Sequence, residues 1–213
     1  MTASQNEHSW LTNNSTSSQE IGQYYDDWAD NYNATLAEWD YESPRVAAEL
    51  IKEHTGGNGP VLDAGCGTGL TGKALRAAGI TSITGIDISE KSLTVAAQDA
   101  IYERLLPVNM QEAPLPFADN EFAAVQCIGV LTYVPDTDMI MREFSRVVQP
   151  GGVVVFTQRD DLFAERNYPD VLKSLEDDGT WQQISISEPQ LYLPGNEYFT
   201  DQIKVIYCVF RVK

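Results

Sequence analysis

Two hydrophobic patterns alternate along the middle of the chain. Short apolar runs predict buried strands at 61–63, 83–87, 105–109, 123–128 and 153–158. Stretches in which apolar residues recur every three or four positions predict helices at 21–37, 44–54, 70–78, 91–100 and 136–148. Strands that alternate with helices in this way indicate an α/β domain with a parallel, doubly wound sheet.

The two ends of the chain have different patterns. The first twenty residues are polar, which predicts a disordered tail followed by a single domain over 21–213. Near the other end, 181–193 and 204–212 alternate apolar with polar residues and are separated by Pro194, Gly195 and Asn196. This pattern predicts two β-strands connected by a turn.

A glycine-rich segment follows the first predicted strand. Asp63 ends the strand, and Gly65, Gly67 and Gly69 follow at alternate positions before a helix begins. Such a loop lets the backbone lie close to a ligand. A dinucleotide-binding loop has the pattern G-x-G-x-x-G/A, and Leu70 fits the third glycine position poorly. The Asp63 carboxylate would also repel a pyrophosphate but attract an ammonium or sulfonium group.

The segment from Asp63 to Gly69 resembles motif I of the class I S-adenosylmethionine-dependent methyltransferases. Three further segments resemble later landmarks of that family, namely 83–88, 115–122 and 146–152. The likeness covers roughly 24–213 and is greatest to the small methyltransferase-like proteins of the Williams-Beuren region. It implies a Rossmann-like sheet in the strand order 3-2-1-4-5-7-6 with a C-terminal antiparallel hairpin. It also implies S-adenosylmethionine as cofactor and methyl transfer as activity.

The resemblance assigns cofactor contacts to the glycine loop. Asp63 would orient the ammonium group, directly or through water. Gly65 and Gly67 would let the backbone approach, with Cys66 as a small residue beside the ligand. The start of the helix would offer backbone N–H groups at Thr68 and Leu70.

The same resemblance assigns the nucleoside to the ends of the neighbouring strands. Asp87 would accept hydrogen bonds from both ribose hydroxyls, and Ile88 would pack on the adenine. Many relatives have an aspartate after the third strand. Here that position is Asn109, followed by Met110, and either could contact the adenine. Ile128 would touch the cofactor at the end of the fourth strand.

Aromatic residues of the first helix and residues after the fourth and fifth strands are candidates for contacts with cofactor or acceptor. Tyr25, Trp28 and Tyr32 lie on one helix face and would either attract the sulfonium or only pack the helix onto the domain. Thr132 and Tyr133 are expected to face the acceptor. Arg159 would bind an acidic group of the acceptor or pair with one of the carboxylates that follow it.

Charge and composition limit the chemical classes to which the methyl acceptor could belong. The formal net charge of −17 disfavours nucleic acid, although acidity also serves solubility. We expect a small molecule that reacts through an amine, thiol, carboxylate or hydroxyl. His8 and His54 are both poorly placed to act as a base, and no metal site is expected. Alternatives are a catalytically silent binding or partner protein and, less favoured, a nicotinamide-dependent oxidoreductase.

No apolar run approaches the roughly 20 residues of a membrane span, and no signal peptide is evident. A cytoplasmic protein that is a monomer or a weak homodimer is therefore expected.

Overall fold

A computed structural model describes residues 9–12, 14–199 and 202–213. The helices are α1 (Ser18–Glu38), α2 (Ser43–Thr55), α3 (Leu70–Ala77), α4 (Glu90–Ala97), α5 (Thr137–Val147), α6 (Asp160–Glu165) and α7 (Tyr168–Asp177). The strands are β1 (Val61–Ala64), β2 (Ile83–Asp87), β3 (Arg104–Pro107), β4 (Phe122–Cys127), β5 (Val148–Arg159), β6 (Trp181–Ile186), β7 (Gln190–Leu191) and β8 (Lys204–Val212). Short 3₁₀ turns occur at Ser9–Thr12 and Leu131–Tyr133.

The strands form one mixed sheet in the order β3-β2-β1-β4-β5-β8-β6, and β7 also pairs with β8. The pairs from β3 to β5 are parallel, whereas β8 runs antiparallel to β5, β6 and β7. The predicted fold class is therefore confirmed. The two-residue strand β7 takes an additional number, so β8 occupies the position that the prediction called strand seven.

Burial on both faces explains why the central strands are continuous apolar runs. Every residue of β1 and β4 is buried. One face carries a core that includes Phe144 of α5 and Leu175 of α7, and the other carries a core that includes Ile51 of α2 and Leu75 of α3. The order of the strands reverses between β1 and β4, where ligands bind in open α/β sheets.

The structure corrects the predicted N-terminal boundary. Ser17 caps α1 by accepting a hydrogen bond from the backbone N–H of Glu20, so the helix begins at Ser18 rather than at residue 21. The 3₁₀ turn at Ser9–Thr12 also falls within the stretch predicted to be disordered. The last three residues of the predicted tail, 18–20, therefore lie in α1. Residues 1–8 and 13 lie outside the described residues.

Two short helices, α6 and α7, were not predicted. Asn167 separates them in a left-handed conformation with φ of 53°, and a proline follows in the first turn of α7.

In the part of the chain that the structure describes, no helix has both the length and the apolarity needed to cross a membrane.

Candidate functional site

Two adjoining cavities open at the carboxyl ends of the central strands. The first cavity lies beside the ends of β1, β2 and β4. The second cavity lies beside the carboxyl end of β5 and the start of the antiparallel strand β8. They have a common wall of four residues, Tyr25, Tyr32, Gly129 and Tyr133. The two cavities are therefore adjacent.

The glycine loop forms one side of the first cavity. The backbone N–H groups of Gly65 and Cys66 both donate to the Ile86 carbonyl, at 2.8 and 2.9 Å, which fixes the loop to the end of β2. Gly67 has a φ of +51°, and a Cβ added there would meet no protein atom within 4 Å. The backbone at Gly67 therefore faces open space, as a loop that receives a ligand requires.

Asp87 is the acidic residue that faces the first cavity. One carboxylate oxygen accepts from the Gly67 N–H at 2.8 Å and the other from the Ser89 N–H at 2.9 Å. Burial raises the pKa of Asp87, and these backbone hydrogen bonds oppose the increase. The side chain thus fixes the glycine loop while remaining on the cavity wall.

Asp63 lies behind the loop and lines neither cavity. Its carboxylate accepts hydrogen bonds from Thr71 (2.7 Å), Tyr102 (2.7 Å) and Gln126 (3.0 Å). Burial raises its pKa to about 6, although all three donors oppose the shift. The Tyr102 hydroxyl also accepts from the Gly72 N–H at 3.1 Å, so this carboxylate stabilises the junction of β1, the loop and α3.

Helix α1 forms the outer wall and is hydrogen-bonded to both ligand-facing loops. Thr68 in the glycine loop donates to Asn33 at 2.5 Å. After β2, the Ser89 hydroxyl donates to Asp26 at 2.5 Å, and the Lys91 N–H donates to the same oxygen at 3.2 Å. Side chains of one helix therefore hold its aromatic face against the site.

Residues after β3 close the far end of the first cavity. Asn109 donates to Ser18 at 3.1 Å and to Glu112 at 2.8 Å, while its side-chain oxygen accepts from the backbone of Gln111. Gln111 in turn donates to the Thr16 and Tyr133 carbonyls, both at 2.8 Å. These bonds connect the chain before α1 to the end of β3 and to the common wall.

Tyrosine hydroxyls meet at the common wall. The hydroxyls of Tyr25 and Tyr133 are 2.9 Å apart, and their rings pack edge to face at 5.8 Å. Trp28 and Tyr32 also pack edge to face, at 4.7 Å. Burial raises the pKa of Tyr25, Tyr32 and Tyr133, so all three remain neutral at physiological pH.

The second cavity contains a buried guanidinium. Arg159 has only 9% of its surface exposed. It forms a two-bond ion pair with Asp161, with distances of 3.1 Å from Nε and 2.6 Å from Nη2. Its Nη1 donates to the Leu11 carbonyl at 3.0 Å and to Asn14 at 3.2 Å. Arg159 therefore lines the second cavity and pairs with Asp161, one of the carboxylates that follow it.

Most of the predicted site residues line a cavity. The first cavity is lined by Gly65, Gly67, Thr68, Asp87, Ile88, Asn109, Met110, Ile128, Tyr25, Tyr32 and Tyr133. The second includes Trp28, Thr132 and Arg159, besides residues of the common wall.

Three predicted cofactor residues lie off both cavities, namely Asp63, Cys66 and Leu70. Asp63 is occupied by the donors described above. The Cys66 sulfur lies under the loop, 2.9 Å from where a Cβ on Gly85 would lie. Leu70 packs with the aromatic cluster of α1. In each case the neighbouring backbone borders the site but the side chain turns away from it.

Sequence reasoning missed several lining residues. Gln111 follows Met110 directly, so its position beside predicted site residues was an available signal. The residues that β8 and the segment before it contribute to the second cavity carry no local motif. They include Tyr192, Leu193, Ile203 and Val205.

Among the described residues, no cluster of three or more His, Cys, Asp or Glu side chains could hold a metal ion.

Comparisons with known proteins agree with this architecture. A family model described as "Methyltransferase domain" matches residues 62–156. Methyltransferase-like protein 27 of Homo sapiens is 31% identical over 168 residues, which cover 76% of this chain and 68% of that protein. The chain belongs to the class I S-adenosylmethionine-dependent methyltransferases. It is accordingly an enzyme of methyl transfer whose cofactor is S-adenosylmethionine.

More distant relatives of this methyltransferase match over less of their length. The malonyl-[acyl-carrier protein] O-methyltransferase of Erwinia pyrifoliae is 33% identical over 150 residues, which cover 70% of this chain but only 52% of that protein. A crystal structure of geranyl diphosphate C-methyltransferase from Streptomyces coelicolor, in complex with Mg²⁺, geranyl diphosphate and S-adenosyl-L-homocysteine, superposes with a TM-score of 0.58. It is 16% identical and covers 78% of each chain, a similarity that concerns the fold alone.

Proposed function

We propose that the first cavity binds S-adenosylmethionine and that the second receives a small-molecule methyl acceptor. The observation that carries this proposal is the common wall, because two separate cavities that meet at Tyr25, Tyr32, Gly129 and Tyr133 suit two reactants that must touch. The open backbone at Gly67 and the carboxylate of Asp87 fit the nucleoside end of the cofactor.

The lining supports a specific orientation of the cofactor. Asp87 would accept from the ribose hydroxyls. The adenine would lie among Ile88, Met110 and Ile128, with Asn109 at its edge. The methionine portion would extend along Gly65 and Gly67 towards the tyrosines of α1. Thr68 would contribute its backbone at the start of α3. Asp63, together with Cys66 and Leu70, would act by supporting the loop.

The protein's part in catalysis is alignment and exclusion of water. The bound cofactor supplies an electrophilic methyl group, and transfer is an in-line displacement that requires the acceptor atom, carbon and sulfur on one line. Holding two reactants in such geometry can lower the barrier by roughly 7–11 kcal/mol. Tyr25 and Tyr133 would position the reactants at the common wall, with Trp28, Tyr32 and Thr132 closing the space around them.

A small acceptor suits the lining of the second cavity and the charge of the molecule. That lining is mainly aliphatic and aromatic with a few polar groups, as is common in small-ligand sites. The net charge of −17 disfavours a polyanionic substrate. We also propose that residues from α1 to 213 act as one domain, as a monomer or weak homodimer in the cytoplasm. The likeness to Methyltransferase-like protein 27 supports a relationship to the small methyltransferase-like proteins.

Calorimetry with S-adenosylmethionine, S-adenosylhomocysteine and NADH tests the assignment of the first cavity. We expect both sulfur nucleosides to bind, and NADH to give no heat under the same conditions. Binding of NADH without either sulfur nucleoside would refute the proposal. Formation of S-adenosylhomocysteine with a panel of amines, thiols, acids and alcohols then tests transfer to a small molecule.

A further inference from the structure

The second cavity combines an apolar wall with one type of charge. Its lining is mainly aliphatic and aromatic, with Trp28, Leu36 and Ile203 among its members. Arg159 is the only charged side chain among the described lining residues, and none of those residues is an aspartate or a glutamate. An apolar cavity with a single buried cation favours a compact apolar molecule that carries one negative charge.

The counter-charge of Arg159 lies outside this cavity. Asp161 pairs with the guanidinium but does not line the cavity, and half of its side chain (52%) is exposed. The hydrogen bonds to Asp161, Leu11 and Asn14 use four of the five guanidinium N–H groups. One N–H group of Nη2 therefore carries none of these hydrogen bonds, while Arg159 lines the cavity and the paired carboxylate is half exposed.

The charge of Arg159 also reaches the hydroxyls of the cavity. Burial raises the pKa of Tyr133 and of Tyr192, and the Arg159 charge opposes the increase in both. This guanidinium thus acts on Tyr133, which belongs to the common wall. An acidic group of an acceptor in the second cavity would lie within the field of the cation and next to the cofactor.

The common wall lacks a group that could remove a proton from the acceptor. No histidine lines either cavity among the described residues. The tyrosine pair at the wall is neutral, since burial raises the pKa of both hydroxyls. Asp87 holds two backbone N–H groups in the first cavity. An alcohol, a protonated amine or a thiol would need such a base, whereas a carboxylic acid with a pKa of about 4 is already ionised at neutral pH.

We propose that the methyl acceptor is the carboxylate of a compact apolar acid and that the product is its methyl ester. This inference rests on the proposed function. A lone pair of one carboxylate oxygen forms the new bond to the methyl carbon as the carbon–sulfur bond breaks. The electron pair of that bond stays on sulfur. The carboxylate charge and the sulfonium charge are consumed together, giving a neutral ester and a thioether with no proton transferred.

Matched probes separate this chemistry from the alternatives. The protein is incubated with S-adenosylmethionine labelled in the methyl group and with 3-phenylpropionate, octanoate or indole-3-acetate. Parallel reactions contain 3-phenylpropylamine, 3-phenylpropanethiol and 3-phenylpropanol. Mild alkali then hydrolyses methyl esters and releases labelled methanol, whereas labelled amines, thioethers and ethers survive. We expect volatile label from the acids only, in step with S-adenosylhomocysteine formation.

Variants of Arg159 connect the chemistry to the cavity. We expect Arg159→Gln to lower kcat/KM for the acid by about tenfold or more, mainly through KM, and Arg159→Lys to retain part of the activity. The dissociation constant of S-adenosylmethionine should stay within about twofold, because this side chain lies outside the first cavity. Arg142→Gln is the matched control, since Arg142 forms exposed ion pairs with Asp138 and Asp178.

Three outcomes overturn the inference. Label that is retained by the amine, thiol or alcohol while the acids give none would identify a different acceptor class. Cofactor binding with no methanol from any of the three acids would also reject the carboxylate, while leaving the proposed function intact. Failure of the wild-type protein to bind S-adenosylmethionine by calorimetry would remove the proposed function, and the inference with it. Should either Arg159 variant not fold, the wild-type pattern across the probes still decides.

Discussion

The two cavities differ in the groups that line them and in how far apart in sequence those groups lie. The first depends on backbone groups and on the Asp87 carboxylate, and all but three of its lining residues lie between Gly65 and Val134. The second is built from side chains as distant in sequence as Leu11 and Val205. The difference shows that a local chain pattern can specify the site proposed for the cofactor, whereas the site proposed for the acceptor is specified only by the completed fold.

Filling the open space at Gly67 in the first cavity should have the largest effect on cofactor binding. Gly67→Val places a side chain where a Cβ now meets no protein atom, in the space assigned to the cofactor. We expect cofactor affinity to fall by about a thousandfold, or roughly 4 kcal/mol, as measured by calorimetry.

Gly79→Val is the control for Gly67→Val. Gly79 also has a positive φ, +97°, and open space around it, but it lies at the end of α3 away from both cavities. The two variants should lose similar stability from backbone strain. Equal cofactor affinity in the two variants would contradict the role given to Gly67.

The buried carboxylate of Asp63 should make the stability of the protein depend on pH. The pKa of Asp63 is about 6 in the folded protein against 3.8 for the unfolded reference, so its contribution to stability is full below pH 3.8 and is lost as pH rises through 6. The lost contribution is on the order of 3 kcal/mol. Asp63→Asn should abolish this slope, as measured by urea unfolding between pH 4 and 7.

The structure can accept that replacement. An asparagine oxygen can take the place of the Asp63 oxygen that Thr71 and Tyr102 now contact. The new amide can then donate to the Gln126 side-chain oxygen, which has no partner among the described residues, once the Gln126 amide rotates. If the difference in unfolding free energy between wild type and Asp63→Asn did not change with pH, the buried carboxylate would not be its source.

Removing the carboxylate that lines the first cavity should weaken cofactor binding directly. Asp87→Ala deletes the acceptor on the wall of the first cavity and should cost about 1–3 kcal/mol of cofactor binding. Asp99→Ala removes the same charge from an exposed ion pair with Lys73 and serves as control. Titration calorimetry on both would reject the ribose role if their affinities were equal.

Substitutions at the common wall should have the smallest effect, and that effect should appear in kcat/KM. Tyr25→Phe and Tyr133→Phe each delete one hydroxyl of the pair, and a double-mutant cycle should give a coupling energy of about 0.5–1.5 kcal/mol in kcat/KM. Tyr207→Phe, which removes a buried hydroxyl bonded to Ser43, is the control. Strictly additive effects would mean that the two hydroxyls act separately.

The sequence was sufficient to predict the fold and most of the residues that line the first cavity. Strand-end acids and alternating glycines are local features, and the strand that carries Asp87 was predicted over its full length. The hydrogen-bond partners of Asp63 could not be predicted, because Tyr102 and Gln126 lie 39 and 63 residues away. No pattern within β1 contains that information.

The second cavity was largely beyond sequence reasoning. Its candidates, Thr132, Tyr133 and Arg159, were found because they follow strands whose carboxyl ends face the site. Leu11 was assigned to a disordered tail. Tyr192 belonged to a predicted strand in which no site residue was predicted. Both are part of the cavity only because the two ends of the chain meet there.

The bond from Arg159 to the carbonyl of Leu11 joins residues 148 positions apart. Closing so long a loop carries a large entropic cost, and contacts of this range form slowly. We therefore expect the segment around Leu11 to dock late during refolding, after the central sheet has formed. Pulse-labelling hydrogen exchange would show amides of β1 and β4 protected first, and would contradict this order if the amides of residues 9–17 were protected as early.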